Sequence, residues 1–333
     1  MFRKPSLKSL LPALGVSAIL VGAFLAPAAA SSVRSFLTAY GTGGCTLAGQ
    51  SFVADFSGDG KADLAQVGGE TCVAVSTGTA FGNLTPWQTL PFFGTKATLA
   101  GDVSGDGKAD LVAVNAGNTF VMTSTGAAFG APSAWSSTPF YGSIGTFLAD
   151  VNGDHMADLV AVNAGATFVM LSNGTSFGPP QLWSSTAFYG TVTTLMGDVS
   201  GDGKADLIAV NAGATFVMTA NAGGTAFNAP TAWASAAFYG TKATLVGDAS
   251  GDAKADLVAV NAGNTFVMTA NAGGTAFNAP TAWSSTAFYG SSATLIGNVA
   301  GNATRDLVAV NPANVFVMVS SGTAYGAPQG WFP

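Results

Sequence analysis

The chain has 333 residues, of which 48% are hydrophobic and only 8% are charged, and its 11 basic and 17 acidic side chains give a net charge of −6. This composition excludes an intrinsically disordered chain. Basic residues are fewer than acidic ones, which argues against nucleic acid as a partner. The length allows one or two domains with a large buried core.

The N-terminal segment has the pattern of a secretory signal peptide. Basic residues precede an apolar run at about 10–25, and Ala28 and Ala30 fit the small-residue cleavage pattern. A membrane anchor is the alternative, although a proline and a glycine interrupt the run, which barely reaches spanning length. We therefore expect removal of residues 1–30 and secretion of residues 31–333 without membrane insertion. Eight basic and 17 acidic residues then remain, for a mature net charge of −9.

The chain contains two cysteines, Cys45 and Cys72, which lie 27 residues apart. Export would place them in an oxidising compartment, where disulfides form and persist. We expect the two cysteines to form a disulfide within one small unit. Two buried free thiols are the alternative.

A unit of about 48 residues is repeated six times along the chain. Each copy contains an acidic loop, and the loops begin at Asp55, Asp102, Asp150, Asp198, Asp248 and Asn298. Each copy also has one tryptophan, and most copies have an aromatic-aromatic-glycine triplet such as "FYG" before the loop. A repeat of this length indicates a solenoid or a propeller.

Each repeat is predicted to contain four short strands. In the second repeat they are 97–103, 110–115, 119–125 and 129–135, which are rich in Val, Phe, Thr and Leu and separated by Gly, Asn, Ala and Pro. Four strands in about 48 residues are typical of one blade of a β-propeller, so the fold is predicted to be all-β. The segment 31–41 resembles the piece that the last repeat lacks. We therefore expect a closed six-bladed ring in which an N-terminal strand completes the sixth blade.

The acidic loop has the donor pattern of a calcium site. In the second loop Asp102, Ser104, Asp106 and Asp110 offer side-chain oxygens at positions 1, 3, 5 and 9, and Lys108 offers its backbone carbonyl at position 7. Calcium takes six to eight oxygen ligands with tolerant geometry, whereas zinc prefers His or Cys and magnesium demands a near-octahedral cage. The alternative is an Asp-Gly turn without metal. Repetition of the pattern in five copies favours calcium.

Five loops carry complete ligand sets, which predicts about five calcium ions. The sets are Asp55, Ser57, Asp59, Lys61, Asp63; Asp102, Ser104, Asp106, Lys108, Asp110; Asp150, Asn152, Asp154, Met156, Asp158; Asp198, Ser200, Asp202, Lys204, Asp206; and Asp248, Ser250, Asp252, Lys254, Asp256. The sixth loop, Asn298–Asp306, keeps one carboxylate of three and is expected to bind no metal. His155 and Ala253 replace glycine at position 6, so the third and fifth loops are expected to bind more weakly.

The motif "DVSGDGKADL", followed in four of the repeats by "AFG" or "AFNAP", resembles the FG-GAP or VCBS repeats of integrin alpha-chain propellers and of many secreted bacterial proteins. The resemblance extends over nearly all of residues 31–333. It implies a propeller with a calcium site between the first two strands of each blade. Integrin-type propellers commonly have seven blades, so a seven-bladed ring is the alternative to the six counted here.

An enzyme is not expected, because the 16 aspartates all lie in the acidic loops, and the one histidine, His155, lies in one of them. Lectins, adhesion modules and polysaccharide-binding modules occur in the resembled family, and we expect a non-catalytic, lectin-like carbohydrate-binding module. The alternative is a cell-surface adhesion or scaffold protein that binds a protein partner. Stacking of sugars on aromatic rings singles out the tryptophans as candidate ligand-binding residues, with an inter-blade core as the competing explanation. They are Trp87, Trp135, Trp183, Trp233, Trp283 and Trp331.

Overall fold

The computed structural model describes residues 44–332, which form six sheets of four antiparallel strands each. Blade 1 contains β1 (Gln50–Ala54), β2 (Asp63–Val67), β3 (Thr71–Ala74) and β4 (Thr85–Gln88). Blade 2 contains β5 (Ala97–Gly101), β6 (Asp110–Val114), β7 (Thr119–Met122) and β8 (Ser133–Ser136). Blade 3 contains β9 (Gly145–Ala149), β10 (Asp158–Val162), β11 (Thr167–Met170) and β12 (Gln181–Ser184).

The second half of the chain continues the same pattern. Blade 4 contains β13 (Thr193–Gly197), β14 (Asp206–Val210), β15 (Thr215–Met218) and β16 (Thr231–Ala234). Blade 5 contains β17 (Ala243–Gly247), β18 (Asp256–Val260), β19 (Thr265–Met268) and β20 (Thr281–Ser284). Blade 6 contains β21 (Ala293–Gly297), β22 (Asp306–Val310), β23 (Val315–Met318) and β24 (Gln329–Phe332).

Strands follow one another in chain order within every blade, and the first strands of neighbouring blades are in contact around the ring. This meander fixes which loops share a face. The acidic loops, between first and second strands, lie on the same face as the loops between third and fourth strands. We call this the acidic face. The turns between second and third strands lie on the opposite face, together with the connections between blades.

The second strand of each blade forms the centre of the core. Its sequence is DLVAV or a close variant, and all five residues are buried in every blade. Blades stack face to face, so a central strand is covered on both sides. Its sequence is therefore a nearly continuous apolar run. Each third strand pairs with the fourth through a register shift, at Thr119/Phe120 in blade 2.

Neighbouring blades are joined by one repeated contact. The backbone N–H of Phe129 in blade 2 donates to the carbonyl of Trp87 in blade 1 at 3.1 Å, and the two rings lie 5.6 Å apart between centroids. The same contact closes the ring, because Phe81 of blade 1 donates to Trp331 of blade 6 at 2.9 Å. The predicted six-bladed β-propeller is therefore confirmed.

The fourth strand of blade 6 comes from the last repeat itself. The sixth blade has four strands of its own within residues 293–332, so it does not need an N-terminal strand as its fourth. The segment that follows the fourth strand in the other repeats is a connection between blades and not a strand of the blade. Residues 31–41 and the predicted signal peptide, 1–30, lie outside the described residues.

Cys45 and Cys72 form a disulfide, which ties the segment before β1 to β3 of the same blade. Among residues 44–332, no helix is long and apolar enough to span a membrane.

Candidate functional site

The acidic loops are held by their own carboxylates. In loop 2, Asp102 at position 1 accepts backbone N–H groups from Gly105 at 2.6 Å and Gly107 at 2.8 Å. The glycines at positions 4 and 6 have positive φ, of 76° and 82°, a conformation that glycine adopts without steric penalty. The first aspartate therefore folds the loop back onto itself by accepting its amides.

The aspartate at position 9 is fully buried in all six loops. Asp110 accepts N–H groups from Val103 at 3.2 Å, Ser104 at 3.0 Å and Ser124 at 2.8 Å, so it ties the loop to the end of the third strand. Burial, which disfavours the charged form, raises the pKa of Asp110 to about 6 although the amide donors lower it. In loops 3 and 4 the same cause raises the pKa of Asp158 and Asp206 to about 7.

The aspartate at position 5 is paired with a lysine in four loops. Lys108 Nζ lies 2.9 Å from Asp106, and equivalent pairs form in loops 1, 4 and 5 at 2.7 to 2.9 Å. Burial alone would raise the pKa of Asp106, but hydrogen bonds from the ammonium and amide of Lys108 outweigh it and hold that pKa below its usual value. In loop 3 Met156 replaces the lysine, and Asp154 instead accepts the amide group of Asn152 at 2.9 Å.

The six loops form a closed ring of contacts. The N–H at position 8 donates to the position-1 carbonyl of the preceding loop, as in Ala109 to Asp55 at 2.7 Å, and the ring closes with Ala62 donating to Asn298 at 2.7 Å. The lysine stem also packs on the preceding loop, since a Cβ added to Gly58 would lie 2.9 Å from Lys108 Cγ. The acidic face is therefore a continuous structural layer.

The donor chemistry of loops 1 to 5 fits calcium, with three carboxylates and a hydroxyl or amide oxygen in each loop. The carboxylate oxygens are not free for an ion as they stand, because they already accept hydrogen bonds from loop amides or pair with lysine. Among the described residues no three acidic side chains of one loop bring their oxygens within 4.8 Å of one another. A buried carboxylate with a raised pKa nevertheless favours a nearby cation. A calcium ion at these residues would therefore require the loop carboxylates to exchange partners.

The sixth loop differs where the sequence departs from the pattern. Asn298, Ala300 and Asn302 replace its other ligands, but Asp306 is still buried and accepts N–H groups from Ala300 and Ser320 at 2.9 Å each. The position-9 aspartate is thus part of the fold even where a metal is not expected. Position 6 has positive φ throughout, including 68° at His155 and 66° at Ala253.

Cys45, Glu70 and Cys72 form another compact group of potential metal ligands, with their ligand atoms within 4.8 Å of one another. The two sulfurs are bonded to each other, so they are not thiolates and do not offer a metal site.

The six tryptophans lie between the blades. Their exposed fractions are 2 to 8%, and each indole packs against the Phe or Tyr of the next blade at 5.2 to 5.6 Å between centroids. A ring with both faces covered cannot stack on a sugar. The candidate ligand-binding role of these tryptophans is therefore wrong, and the inter-blade core explains them.

Exposed aromatic rings lie instead on the face opposite the acidic loops, which we call the aromatic face. The connections between blades present one ring each, with 37 to 40% of the side chain exposed. These rings are Phe93, Tyr141, Tyr189, Tyr239 and Tyr289. The signal was the repeated "FYG" triplet, whose first aromatic is buried and whose second is exposed. Sequence reasoning recognised the triplet as a landmark but not as a site.

The aromatic rings are presented by rigid connections. Gly142, after Tyr141, donates its N–H to Thr146 Oγ1 at 3.0 Å, and Ser143 donates to Asn163 Oδ1 at 2.9 Å. A Cβ on Gly142 would lie 2.0 Å from the carbonyl of Gly145, so only glycine fits there. The equivalent bonds recur in the other connections, as in Thr191 to Asn211 at 2.9 Å and Ser291 to Asn311 at 2.9 Å.

The loops and blades agree with a family model. Three overlapping segments, 102–161, 150–209 and 198–259, match the model described as FG-GAP-like repeat. The molecule is thus a six-bladed β-propeller, and these segments of it are similar to FG-GAP-like repeats. No curated protein matches the sequence.

Two solved structures of similar fold have a TM-score of 0.61. One is a lectin from Agrocybe aegerita that recognises non-reducing terminal N-acetylglucosamine, with 19% identity over 85% of this chain and 80% of the lectin. The other is the Tc holotoxin pore of Photorhabdus luminescens, with 17% identity over 86% of this chain and 14% of the toxin chain. At these identities the similarity establishes the shared fold.

Proposed function

We propose that the protein is a secreted, calcium-stabilised binding module that recognises carbohydrate without catalysis. The observation that carries this proposal is the set of five exposed aromatic rings at equivalent positions of the aromatic face. An aromatic ring stacks on the apolar face of a pyranose, and repeated weak sites on one rigid body gain avidity for a polymer. The Agrocybe lectin makes terminal N-acetylglucosamine the first sugar to test.

The proposed role of calcium is structural. The oxygens at positions 1, 3, 5 and 9 and the position-7 carbonyl of loops 1 to 5 would hold the ion, which would supply positive charge beside buried carboxylates. Loops 1, 2, 4 and 5 already pair position 5 with the lysine at position 7, whereas loop 3 has Met156 in place of that lysine. The carboxylates of loop 3 are therefore the ones that the protein itself neutralises least, and calcium would compensate their charge. This holds although His155 replaces glycine at position 6 of that loop.

Two features support the rest of the proposal. The disulfide between Cys45 and Cys72 is typical of an oxidising compartment, which agrees with secretion. In the acidic loops, the aspartates at positions 1 and 9 accept hydrogen bonds from backbone N–H groups. The aspartate at position 5 pairs with lysine or, in loop 3, accepts the side-chain amide of Asn152. These engagements favour a structural role over general acid or base chemistry.

The experiment is a glycan-array screen of the full chain, first with calcium and then with a chelator. We expect binding to pyranose-containing glycans, weakened when Tyr189 and Tyr239 are replaced by leucine. The matched control is Phe216→Leu, since Phe216 is 37% exposed but lies on strand β15 and not in a connection between blades.

Chelation gives a separate readout of calcium. It should lower the melting temperature, because an ion that binds only the folded state stabilises by about 2.7 kcal/mol at one hundred times its Kd. An unchanged melting temperature would refute the calcium role. Absence of binding to every glycan on the array would refute the lectin-like function and favour a protein partner, the adhesion or scaffold alternative.

A further inference from the structure

Charge is divided unequally between the two faces. All 16 aspartates lie in the acidic loops, together with four lysines and Arg305. On the aromatic face the described charged residues are Lys96, Lys242 and Glu70. Neither Lys96 nor Lys242 takes part in an ion pair among the described residues. The aromatic face therefore carries two ammonium groups free of carboxylate partners in a protein that is otherwise acidic.

Both free lysines lie over exposed tyrosine rings. Lys96 Nζ is 4.5 Å from the ring centroid of Tyr141, and Lys242 Nζ is 4.5 Å from that of Tyr289. In each pair the lysine comes from one inter-blade connection and the tyrosine from the next. The tyrosines remain 37% and 40% exposed, so the lysine covers only part of each side chain.

The two pairs lie on opposite sides of the ring. Tyr141 follows blade 2 and Tyr289 follows blade 5, which is half a turn of a six-bladed ring. Between them, Tyr189 and Tyr239 present aromatic rings without a lysine. A ligand with repeated units can reach both pairs at once, which a monosaccharide cannot do.

Each pair presents an ammonium group over one part of a tyrosine ring and leaves another part of the side chain exposed, which matches the chemistry of a uronic acid. The apolar face of the pyranose stacks on the exposed part of the ring, and the sugar carboxylate pairs with the ammonium. We propose that the aromatic face binds an anionic polysaccharide through its uronic acid units at these two lysine–tyrosine pairs. The assignment rests on the proposed function and specifies its ligand class.

The test measures binding of the full chain to immobilised hyaluronan and polygalacturonate, each beside its own methyl ester. The ester keeps the sugar rings and removes the negative charge. We expect the acid forms to bind on the order of tenfold more tightly than the esters, with the difference declining as salt rises. The double variant Lys96→Gln/Lys242→Gln should lose this preference, whereas Lys96→Arg/Lys242→Arg should keep it.

Variants of the rings complete the test. Tyr141→Leu/Tyr289→Leu should weaken binding to both acid and ester, and Phe216→Leu should leave both unchanged. Equal binding of acid and ester, or an acid preference that survives in the lysine-to-glutamine variant, would overturn the inference while leaving carbohydrate binding intact. Absence of binding to acids, esters and neutral glycans alike would overturn both the inference and the proposed function.

Discussion

The acidic face and the aromatic face are built from the ends of the same 24 strands, yet they treat polar groups in opposite ways. On the acidic face every position-9 aspartate is buried, and each loop is bonded to its neighbour through position 8. On the aromatic face hydrogen bonds also fix the connections, but large rings and two lysine ammonium groups are left facing solvent.

This difference separates stability from recognition. Groups that satisfy buried amides cannot also be free for a ligand, whereas rings held by a rigid connection can be exposed without loosening the fold. Substitutions on the acidic face should therefore change mainly the free energy of unfolding. Those on the aromatic face should change mainly binding.

The largest effect is expected at the buried carboxylate of the acidic face. Asp110→Ala leaves two buried N–H groups and one partly buried N–H group without their acceptor and should lower the free energy of unfolding by about 3 kcal/mol or more. Asp106→Ala removes an exposed carboxylate paired with Lys108 and should cost less than about 1 kcal/mol. Urea denaturation in chelator measures both.

Asp306 is the control for the role of metal in this comparison. Asp306 accepts the N–H groups of Ala300 and Ser320, as Asp110 accepts those of the corresponding residues in loop 2. Its own loop lacks the other two carboxylates. Asp306→Ala should therefore destabilise the protein nearly as much as Asp110→Ala. If Asp306→Ala were harmless while Asp110→Ala was severe only when calcium was present, ligation of metal and not amide bonding would explain the buried aspartates.

The second effect concerns a serine on each face. Ser124 Oγ donates to the carbonyl of Phe56 in the preceding blade at 2.7 Å, in a buried position. Ser124→Ala should lower the free energy of unfolding by about 1 to 2 kcal/mol, because it leaves that carbonyl unpaired. Ser143→Ala on the aromatic face removes an exposed hydroxyl and should change it by less than about 0.5 kcal/mol. Equal losses in thermal denaturation would contradict the stability difference between the faces.

Much of this architecture could be predicted from the sequence. The repeat period and the short apolar segments indicated six blades, because every blade uses the same strands and therefore repeats the same pattern. The acidic loops were located for the same reason. What sequence could not supply was the direction of a side chain in space, so it could not decide for the tryptophans between a ligand site and the inter-blade core in which they lie.

The two aromatics of "FYG" are adjacent in sequence, yet Phe140 is 5% exposed and Tyr141 is 37% exposed. The triplet alone does not say which of two neighbouring rings reaches solvent, because burial depends on how the folded chain packs around them. The sequence does contain a signal for the structural role of the position-9 aspartate. Asp306 is kept in the loop that lost its other carboxylates, which metal binding alone does not explain.

The third effect is a gain of stability on the acidic face. Ala253 has a φ of 66°, in a region where a side chain costs about 1 to 2 kcal/mol, and the equivalent residue is glycine in loops 1, 2 and 4. Ala253→Gly should therefore raise the free energy of unfolding by about 1 kcal/mol. Ala262→Gly, in a turn of the aromatic face, should lower it instead, because Ala262 is not among the residues with positive φ. Opposite signs in thermal denaturation are the expected result.

The smallest effect on folding is expected at an exposed ring of the aromatic face, where the effect on binding should be large. Tyr239→Leu keeps apolar contact with the connection and should change the free energy of unfolding by less than about 1 kcal/mol. Leucine has no flat ring on which a pyranose can stack, so binding to immobilised glycan should weaken several-fold. A variant that lost stability and binding in parallel would show that the ring acts through the fold. Loss of binding at an unchanged melting temperature would place recognition on the aromatic face, apart from the layer that stabilises the ring.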